Sequence, residues 1–497
     1  MKIKAIAAVV AVAIGWLATC VTPAATLQTA TAAYERRDYT TAHREFLVLA
    51  RVGNGLAQFN LGVMLLNGEG VKRSVREGYA WLLCAADHGI ADARPLIEQI
   101  AAQVKPEVTE RARGECVPVA GRESAKALMP PLPRLADWDR QVMPQAIGRI
   151  RSVFPDTASA QGLIGWVDTE ITLGADGRIK DLWVVESFPE GYFEEAALDA
   201  LRAQEYEPAK IDGKAAPVVF PLRFRFGYDS ASALDIKGLE ALLQRLEREA
   251  ATGNAASQYV LYRLGEVFSE LRERVVDWHA WGRKSLDAGF GATAFEAGYC
   301  AMMAMSGCLV ADRDAGRDAI RRVAVSGGTA AQVALGRLAL AERTEDGIGR
   351  ARRWLEAAAI DGDRWAARYL AVALLSSSDP ARRDGARALA LAEPLRNYSP
   401  MSGDPSTWAI VAAAYAEAGR FADALKAQDR ALGLARRHGW SLEELSARRK
   451  DYAEGRHAVA PPLELVALRA PFKLDSNVAI ACDETARTGT RVPGCRD

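Results

Sequence analysis

The sequence predicts a multidomain α+β protein, mostly α-helical hairpin repeats stacked as a solenoid, with a small central β-β-α-β domain. Three observations carry this. Alanine-rich stretches with large residues at helical spacing recur on both sides of a central block, punctuated by glycine turns. The central block, residues 162–226, switches to a period of two. A length of 497 residues exceeds what one core serves and implies about three domains.

The chain opens with Lys2 and Lys4 ahead of an apolar run over residues 5–18. A basic start and a run shorter than the ~20 residues of a spanning helix read as a signal peptide, assigned to residues 1–25. Two processing readings stand. Thr22-Pro-Ala24 and Pro23-Ala-Ala25 offer small residues for ordinary cleavage, and Leu17-Ala-Thr-Cys20 is close to a lipobox with Thr19 out of pattern. The expected location is therefore the periplasm, with an outer-membrane lipoprotein anchored through Cys20 as the alternative. Membrane contact is expected only if Cys20 is lipidated.

Residues 26–103 read as helical repeats. Ala57-Gln-Phe-Asn-Leu-Gly62 is followed by Gly68-Glu-Gly70, then by Glu77-Gly-Tyr-Ala-Trp-Leu-Leu-Cys-Ala-Ala86 and Gly89. Small residues (Ala57, Gly62, Ala80, Ala85) let two helices approach; Leu61, Tyr79, Trp81 and Leu82 fill the gaps. Gly89 can end the second helix in a left-handed cap. This unit resembles a Sel-one-like repeat, a relative of the tetratricopeptide repeat. Residues 104–136, with Met129-Pro-Pro-Leu-Pro133, read as a linker.

In the central domain, 137–228, Trp166–Leu173 alternates: Val167, Thr169, Ile171 and Leu173 on one face, Asp168, Glu170 and Thr172 on the other. That is the pattern of a half-buried strand. Asp176-Gly177 supplies a tight hairpin, and residues 179–186 form the return strand. A helix follows with Phe193, Ala197 and Leu201 on one stripe. Asp212-Gly213 turns the chain into the closing strand, 218–226.

Repeats resume over 235–455. Ala256-Ser-Gln-Tyr-Val-Leu-Tyr-Arg-Leu-Gly265, Ala331-Gln-Val-Ala-Leu-Gly336 and residues 408–437 carry the pattern, and hairpins of this kind bury their faces only by stacking. Gly289-Phe-Gly-Ala-Thr-Ala294 fits a dinucleotide-loop spacing but follows a helix rather than a strand, so it reads as an inter-helix turn. Trp278, Trp281, Trp354, Trp365 and Trp408 read as core packing. Residues 456–497 read as an extended tail.

Of seven cysteines, Cys20 is lost or lipidated on processing. The order of the other six suggests local disulfides, Cys84–Cys116, Cys300–Cys308 and Cys482–Cys495. The other reading keeps Cys84 and Cys300 as buried thiols on alanine-rich helices. Lys+Arg and Asp+Glu are both 63, so no basic excess exists for nucleic acid, and no nucleic-acid partner is expected. Five scattered histidines and the absence of a nucleophile elbow, zinc spacing or phosphate loop argue against an enzyme. No cofactor is expected.

The central landmarks are Gly165-Trp-Val167, Asp176-Gly177, Val184-Val-Glu-Ser187, Ala196-Ala-Leu198, Pro208-Ala209, Gly213-Lys214 and Pro221-Leu-Arg-Phe224, with Phe154-Pro155 ahead of them. In this order they resemble the C-terminal domain of the TonB energy-transducer family. The resemblance implies that the last strand is an edge that pairs with an extended segment of an outer-membrane receptor, by β-augmentation. The partner-binding residues are then Val219, Phe220, Pro221, Arg223 and Arg225. Arg223 and Arg225 are expected on the exposed row; the other reading has them only blocking edge aggregation. A working transducer has an uncleaved membrane helix, a long proline-rich spacer and this domain at its C-terminus, and the chain departs on each point. The expected function is a non-enzymatic cell-envelope adaptor binding envelope proteins, outer-membrane receptors among them. The alternative is an accessory protein of TonB-dependent transmembrane transport across the outer membrane.

Overall fold

The computed structural model describes residues 25–481, apart from 120–125, 136–140, 228–238, 470–476 and isolated positions within 143–162, 304–311, 361 and 459–467. Residues 1–24 of the expected signal peptide, Cys482 and Cys495 lie outside the described residues. The protein is mostly helical, with a small β domain at its centre. It divides into two units: residues up to Pro131 with Arg321–Ala373, and Leu132–Ile320 with residues from Leu374 onward. The 235–455 block, expected as one repeat set, is thus shared between the two. Among the described residues no single helix is long and apolar enough to cross a membrane.

In the first unit the helices Ala25–Glu35, Tyr39–Arg51, Gly55–Asn67 and Val75–Asp87 pack in sequence. Short polar residues set the helix starts: Asp38, Asn54 and Ser74 each accept a backbone N–H from the third residue on. The hairpin closes where Gly62 faces Gly78; a Cβ on Gly62 would lie 3.0 Å from the Gly78 carbonyl oxygen, and one on Gly78 would lie 2.9 Å from that of Gly62. The expected linker contains a further helix, Pro106–Val119, which packs on Val75–Asp87 and buries Ala112 beside Tyr79, Leu82 and Ile100. Pro106 suits a first helical position, where its missing N–H costs nothing. The helices Ala93–Ala101, Thr329–Leu340, Glu345–Ala359 and most of Arg364–Leu375 also belong to this unit. Asn54 Nδ2 donates to the Val325 carbonyl (2.9 Å), and Trp354, fully buried, donates to that of Leu128 (2.9 Å).

One device recurs between hairpins. Gln58, Gln258 and Gln332 are buried, and each donates its side-chain N–H to the carbonyl eight residues upstream, in the last turn of the preceding helix: Ala50 (3.0 Å), Ala250 (3.0 Å) and Ala324 (2.8 Å). Each of these carbonyls also accepts the backbone N–H of the glycine three residues on (Gly53, Gly253, Gly327), and the glutamine supplies its second lone pair at the helix end. In Gln58→Leu the Ala50 carbonyl is left with the Gly53 N–H (3.1 Å), and His88 Nδ1 loses its 2.8 Å partner. The expected loss is about 0.5–1.5 kcal/mol, read from denaturant unfolding. A variant as stable as wild type would show that these carbonyls find other partners.

In the second unit the strands are β1 (Arg134–Leu135), β2 (Gln141–Val142), β3 (Gln145–Ala146), β4 (Gly165–Leu173), β5 (Ile179–Phe188), β6 (Tyr206–Glu207), β7 (Lys210–Ile211), β8 (Lys214–Ala215), β9 (Val218–Gly227), β10 (Leu468–Arg469) and β11 (Asn477–Ala481). The main sheet runs β1-β10-β9-β4-β5, with β11 also paired to β9; β2-β7-β8 and β3-β6 are small separate sheets. β4 is antiparallel to both neighbours. The hairpin at Asp176-Gly177 forms as expected: Gly177 has φ 72°, and the N–H of Gly174 donates to the Arg178 carbonyl at 2.8 Å.

The apolar row of the sheet meets the helix Glu194–Arg202. Phe193 and Phe226 stack with centroids 4.6 Å apart, and Phe154 meets both edge-on. Arg202, at the end of this helix, is buried; it pairs with Asp199 and donates to the Pro400 carbonyl. The Trp440 indole donates to the Arg202 carbonyl. The opposite, polar row is largely covered. It lies under the helices Leu239–Ala251, Ala255–Val267 and Gly291–Met302, where Trp166 stacks on Phe188 at 4.7 Å and joins a core with Leu243, Leu246, Leu261 and Leu264. β4 is therefore buried on both faces, not half-buried.

Candidate functional site

The candidate site is the edge strand β9 with the charged layer beneath it. Each feature expected there from sequence has a definite place. Val219, Phe220, Leu222, Phe224 and Phe226 are buried, and Pro221 is half-buried. The expectation of an exposed arginine row is corrected: Arg223 is 7% exposed. Its Nε and Nη2 grip the Asp168 carboxylate at 2.6 and 2.9 Å, and its Nη1 reaches Glu266 at 3.0 Å. Arg225 pairs with Glu270 at 2.7 Å and lies 5.8 Å from the Phe268 ring centroid. Both arginines tie β9 to the helical layer; neither is free to guard an open edge. The physical cause is charge complementarity across a buried face, where an unpaired guanidinium is not tolerated.

The expectation of an unpaired edge is also corrected. β9 is not the last strand of its sheet. β11 pairs with it in parallel, with Asn477, Val478, Ala479, Ile480 and Ala481 opposite Arg223, Phe224, Arg225, Phe226 and Gly227. Further back along the same edge, Arg469 of β10 pairs with Val219, also in parallel, and β1 pairs with β10. Two stretches of the expected tail, Leu468–Arg469 and Asn477–Ala481, thus occupy the side of β9 that was expected to be open.

At the centre of the charged layer stands Arg263, fully buried on the helix Ala255–Val267. It reaches Asp168 (2.5 Å), Glu186 (2.9 Å), Glu266 (2.5 Å) and Glu296 (3.9 Å), and its guanidinium carbon lies 5.3 Å from the Trp166 ring centroid. Tyr259 donates to Glu186 and Tyr299 to Glu170, which is also fully buried. A cavity of about 50 Å³ opens here, lined by Asp168, Arg223, Arg263, Glu296, Tyr299 and Met305 among others. The carboxylates diverge in character. Burial would raise Asp168 and Glu266, but the guanidiniums of Arg223 and Arg263 outweigh it and hold both below the usual range. Glu296 is pushed up to about 8, by burial first and by the neighbouring Glu266 charge second. Sequence reasoning missed this layer. Its one signal is Arg263 itself, a charge set among apolar residues in Tyr259-Val-Leu-Tyr-Arg-Leu-Gly265.

Cys300 and Cys308 are disulfide-bonded, with Cα atoms 5.6 Å apart, beside the cavity. Cys84 is also disulfide-bonded. Its expected partner Cys116 lies on Pro106–Val119, where that side chain falls outside the described residues. Gly289 has φ 74° and ends one helix before the next begins at Gly291, as an inter-helix turn should. Among the described residues no group of three or more His, Cys, Asp or Glu is placed to hold a metal ion.

Comparison with known proteins matches this geometry. Residues 151–227 match the family described as the Gram-negative bacterial TonB protein C-terminal. Residues 55–90 and 329–363 match the Sel1 repeat. Both are protein-interaction modules, so the chain carries a TonB C-terminal-like domain flanked by Sel1-like repeats. A search among curated proteins returns no match. Among solved structures, a protective antigen of uropathogenic Escherichia coli displaying an SLR fold aligns over 86% of this chain and 87% of that one, at 15% identity and a TM-score of 0.24. A score that low carries no argument.

Proposed function

We propose that this protein is a non-enzymatic adaptor of the cell envelope: its helical repeats hold one protein partner, and the β9 edge takes an extended segment of a second. One observation supports the edge most directly. The backbone of β9 already accepts a parallel strand over the five residues Arg223–Gly227. Main-chain hydrogen bonds then give affinity, and the alternate side chains Phe224 and Phe226 give selectivity. The periplasm is the expected compartment, in keeping with a Gram-negative envelope domain and with disulfides at Cys84 and Cys300.

The test is cross-linking in intact Gram-negative cells followed by peptide mapping. The adaptor reading expects adducts to envelope proteins from two separate surfaces, the repeats and β9. Recovery of intramolecular adducts alone, under conditions that capture a known envelope complex, sinks it. If the β9 adducts map to the periplasmic segment of an outer-membrane receptor, the adaptor is an accessory of receptor-dependent uptake.

A further inference from the structure

We propose that β11 is a built-in competitor for the β9 edge, and that a partner gains the edge only by displacing it with an extended segment carrying β-branched apolar residues two positions apart. The proposal rests on the reading of β9 as a strand-accepting edge and adds its regulation and the chemistry of its partner.

Three observations carry it. First, two stretches of the tail pair with this edge in the same direction: Arg469 lies opposite Val219, and Asn477–Ala481 lies opposite Arg223–Gly227. Both stretches run parallel to β9, with a separate register at each: from Arg469 to Asn477 the tail advances eight residues while β9 advances four. Second, the segment alternates as an edge ligand should. Asn477-Val-Ala-Ile-Ala481 places Val478 opposite Phe224 and Ile480 opposite Phe226. Directly opposed residues share a face of the sheet, so these two positions fall on the row that β9 turns toward the helix Glu194–Arg202. A competitor must supply the same two positions. Third, β9 cannot offer its charged row to a partner. Arg223 is held by Asp168 and Glu266, and Arg225 by Glu270. Selection along this edge therefore falls to backbone pairing and to the apolar positions.

Tethering makes the tail a strong competitor despite a ladder of only five residues. A segment on the same chain meets its site at an effective concentration of roughly millimolar. A free segment of equal intrinsic affinity is outcompeted until it exceeds that concentration or pairs more strongly. Covering the edge also prevents copies of the chain from pairing edge to edge.

The experiment uses the full chain and a full-length variant, Val478→Pro/Ala479→Pro. Successive N–H groups of a strand point to opposite sides, so adjacent prolines remove whichever one faces β9. The probe is a fluorescently labelled synthetic peptide of residues 474–481, followed by polarisation. The variant is expected to bind it at least about tenfold more tightly than wild type. Amide hydrogen exchange at Arg223–Gly227 is expected to be slow in wild type and fast in the variant. Equal affinity in both proteins overturns the competitor while leaving the edge intact. Equal protection of Arg223–Gly227 in both also overturns it. A peptide with Asp in place of both Val478 and Ile480 that binds as well as the parent overturns the partner chemistry. Binding to neither protein overturns the strand-accepting reading itself, and the competitor with it.

Discussion

Arg263→Met should destabilise the sheet-bearing unit by about 3–5 kcal/mol near neutral pH. The wild-type guanidinium sits within 4 Å of four carboxylates, Asp168, Glu186, Glu266 and Glu296, and is fully buried. Methionine has about the right volume, so little cavity is made, but it removes half of the positive charge that Arg263 and Arg223 supply to this layer. Arg223 still faces Asp168 and Glu266; Glu186 loses its 2.9 Å partner. Removing one member of a buried ionic cluster leaves the others uncompensated, which costs far more than the intact cluster contributes. The direction of the pH response identifies the cause. In wild type, Asp168 and Glu266 are held below their ordinary values. Their contribution is present above the unfolded carboxyl values and is lost as pH falls through the folded ones. In the variant, burial outweighs the remaining arginine and raises these carboxyls, so stability should rise as pH falls from about 7 to 5. Denaturant unfolding, with hydrogen exchange at β4 and β9 as the local readout, measures both. A variant with the wild-type pH slope would show that Arg263 does not anchor the layer.

The hairpins were legible because their signals are local. Ala57-Gln-Phe-Asn-Leu-Gly62 and Ala331-Gln-Val-Ala-Leu-Gly336 place small and large residues at the same spacing, and both regions fold as helix pairs. What they stack on was not legible, because more than 200 residues separate helices that share the first unit. The central strands and their turns were legible from alternation and Asp-Gly signals. Alternation, however, states only that two faces differ. It does not say whether the polar face meets water or a layer of opposite charge. Asp168, Arg223 and Arg263 come together from positions 55 and 95 residues apart. The same limit hid the tail: Asn477–Ala481 alternates over only five residues, and nothing local names the strand it pairs with.

In the proposed exchange of strands at the β9 edge, the same layer would hold the β9 side chains in position. The apolar row is fixed by Phe193 and Phe154, the polar row by Arg263 and its carboxylates, so displacing β11 leaves both faces of β9 covered. Rigid faces and a replaceable edge suit a strand that must pair with more than one segment without unfolding.

Glu296→Gln should remove an alkaline weakness from the same layer. Glu296 lies on the helix Gly291–Met302, lines the cavity, and accepts from Tyr262 at 3.2 Å, with Arg263 at 3.9 Å. Facing it are Glu266 and Glu186 as like charges and Arg263 and Arg223 as opposite ones, yet burial dominates and pushes its carboxyl up to about 8. A carboxyl raised on folding contributes stability that is fully present below its unfolded value, about 4.3, and that is lost as pH rises through about 8. Between those limits the unfolded chain ionises Glu296 freely while the folded one resists, and each pH unit costs up to about 1.4 kcal/mol. Glutamine keeps the shape and an acceptor for Tyr262 and carries no charge. The variant should match wild type near pH 4, exceed it by about 1 kcal/mol at pH 5 and by about 2–4 kcal/mol at pH 8. Acid unfolding should be unchanged, because Asp168 and Glu266 govern it in both proteins. Denaturation midpoints at pH 5, 6, 7 and 8 decide the matter: parallel curves for the two proteins would mean that Glu296 is already ionised in the folded layer, with Arg263 shared among all four carboxylates.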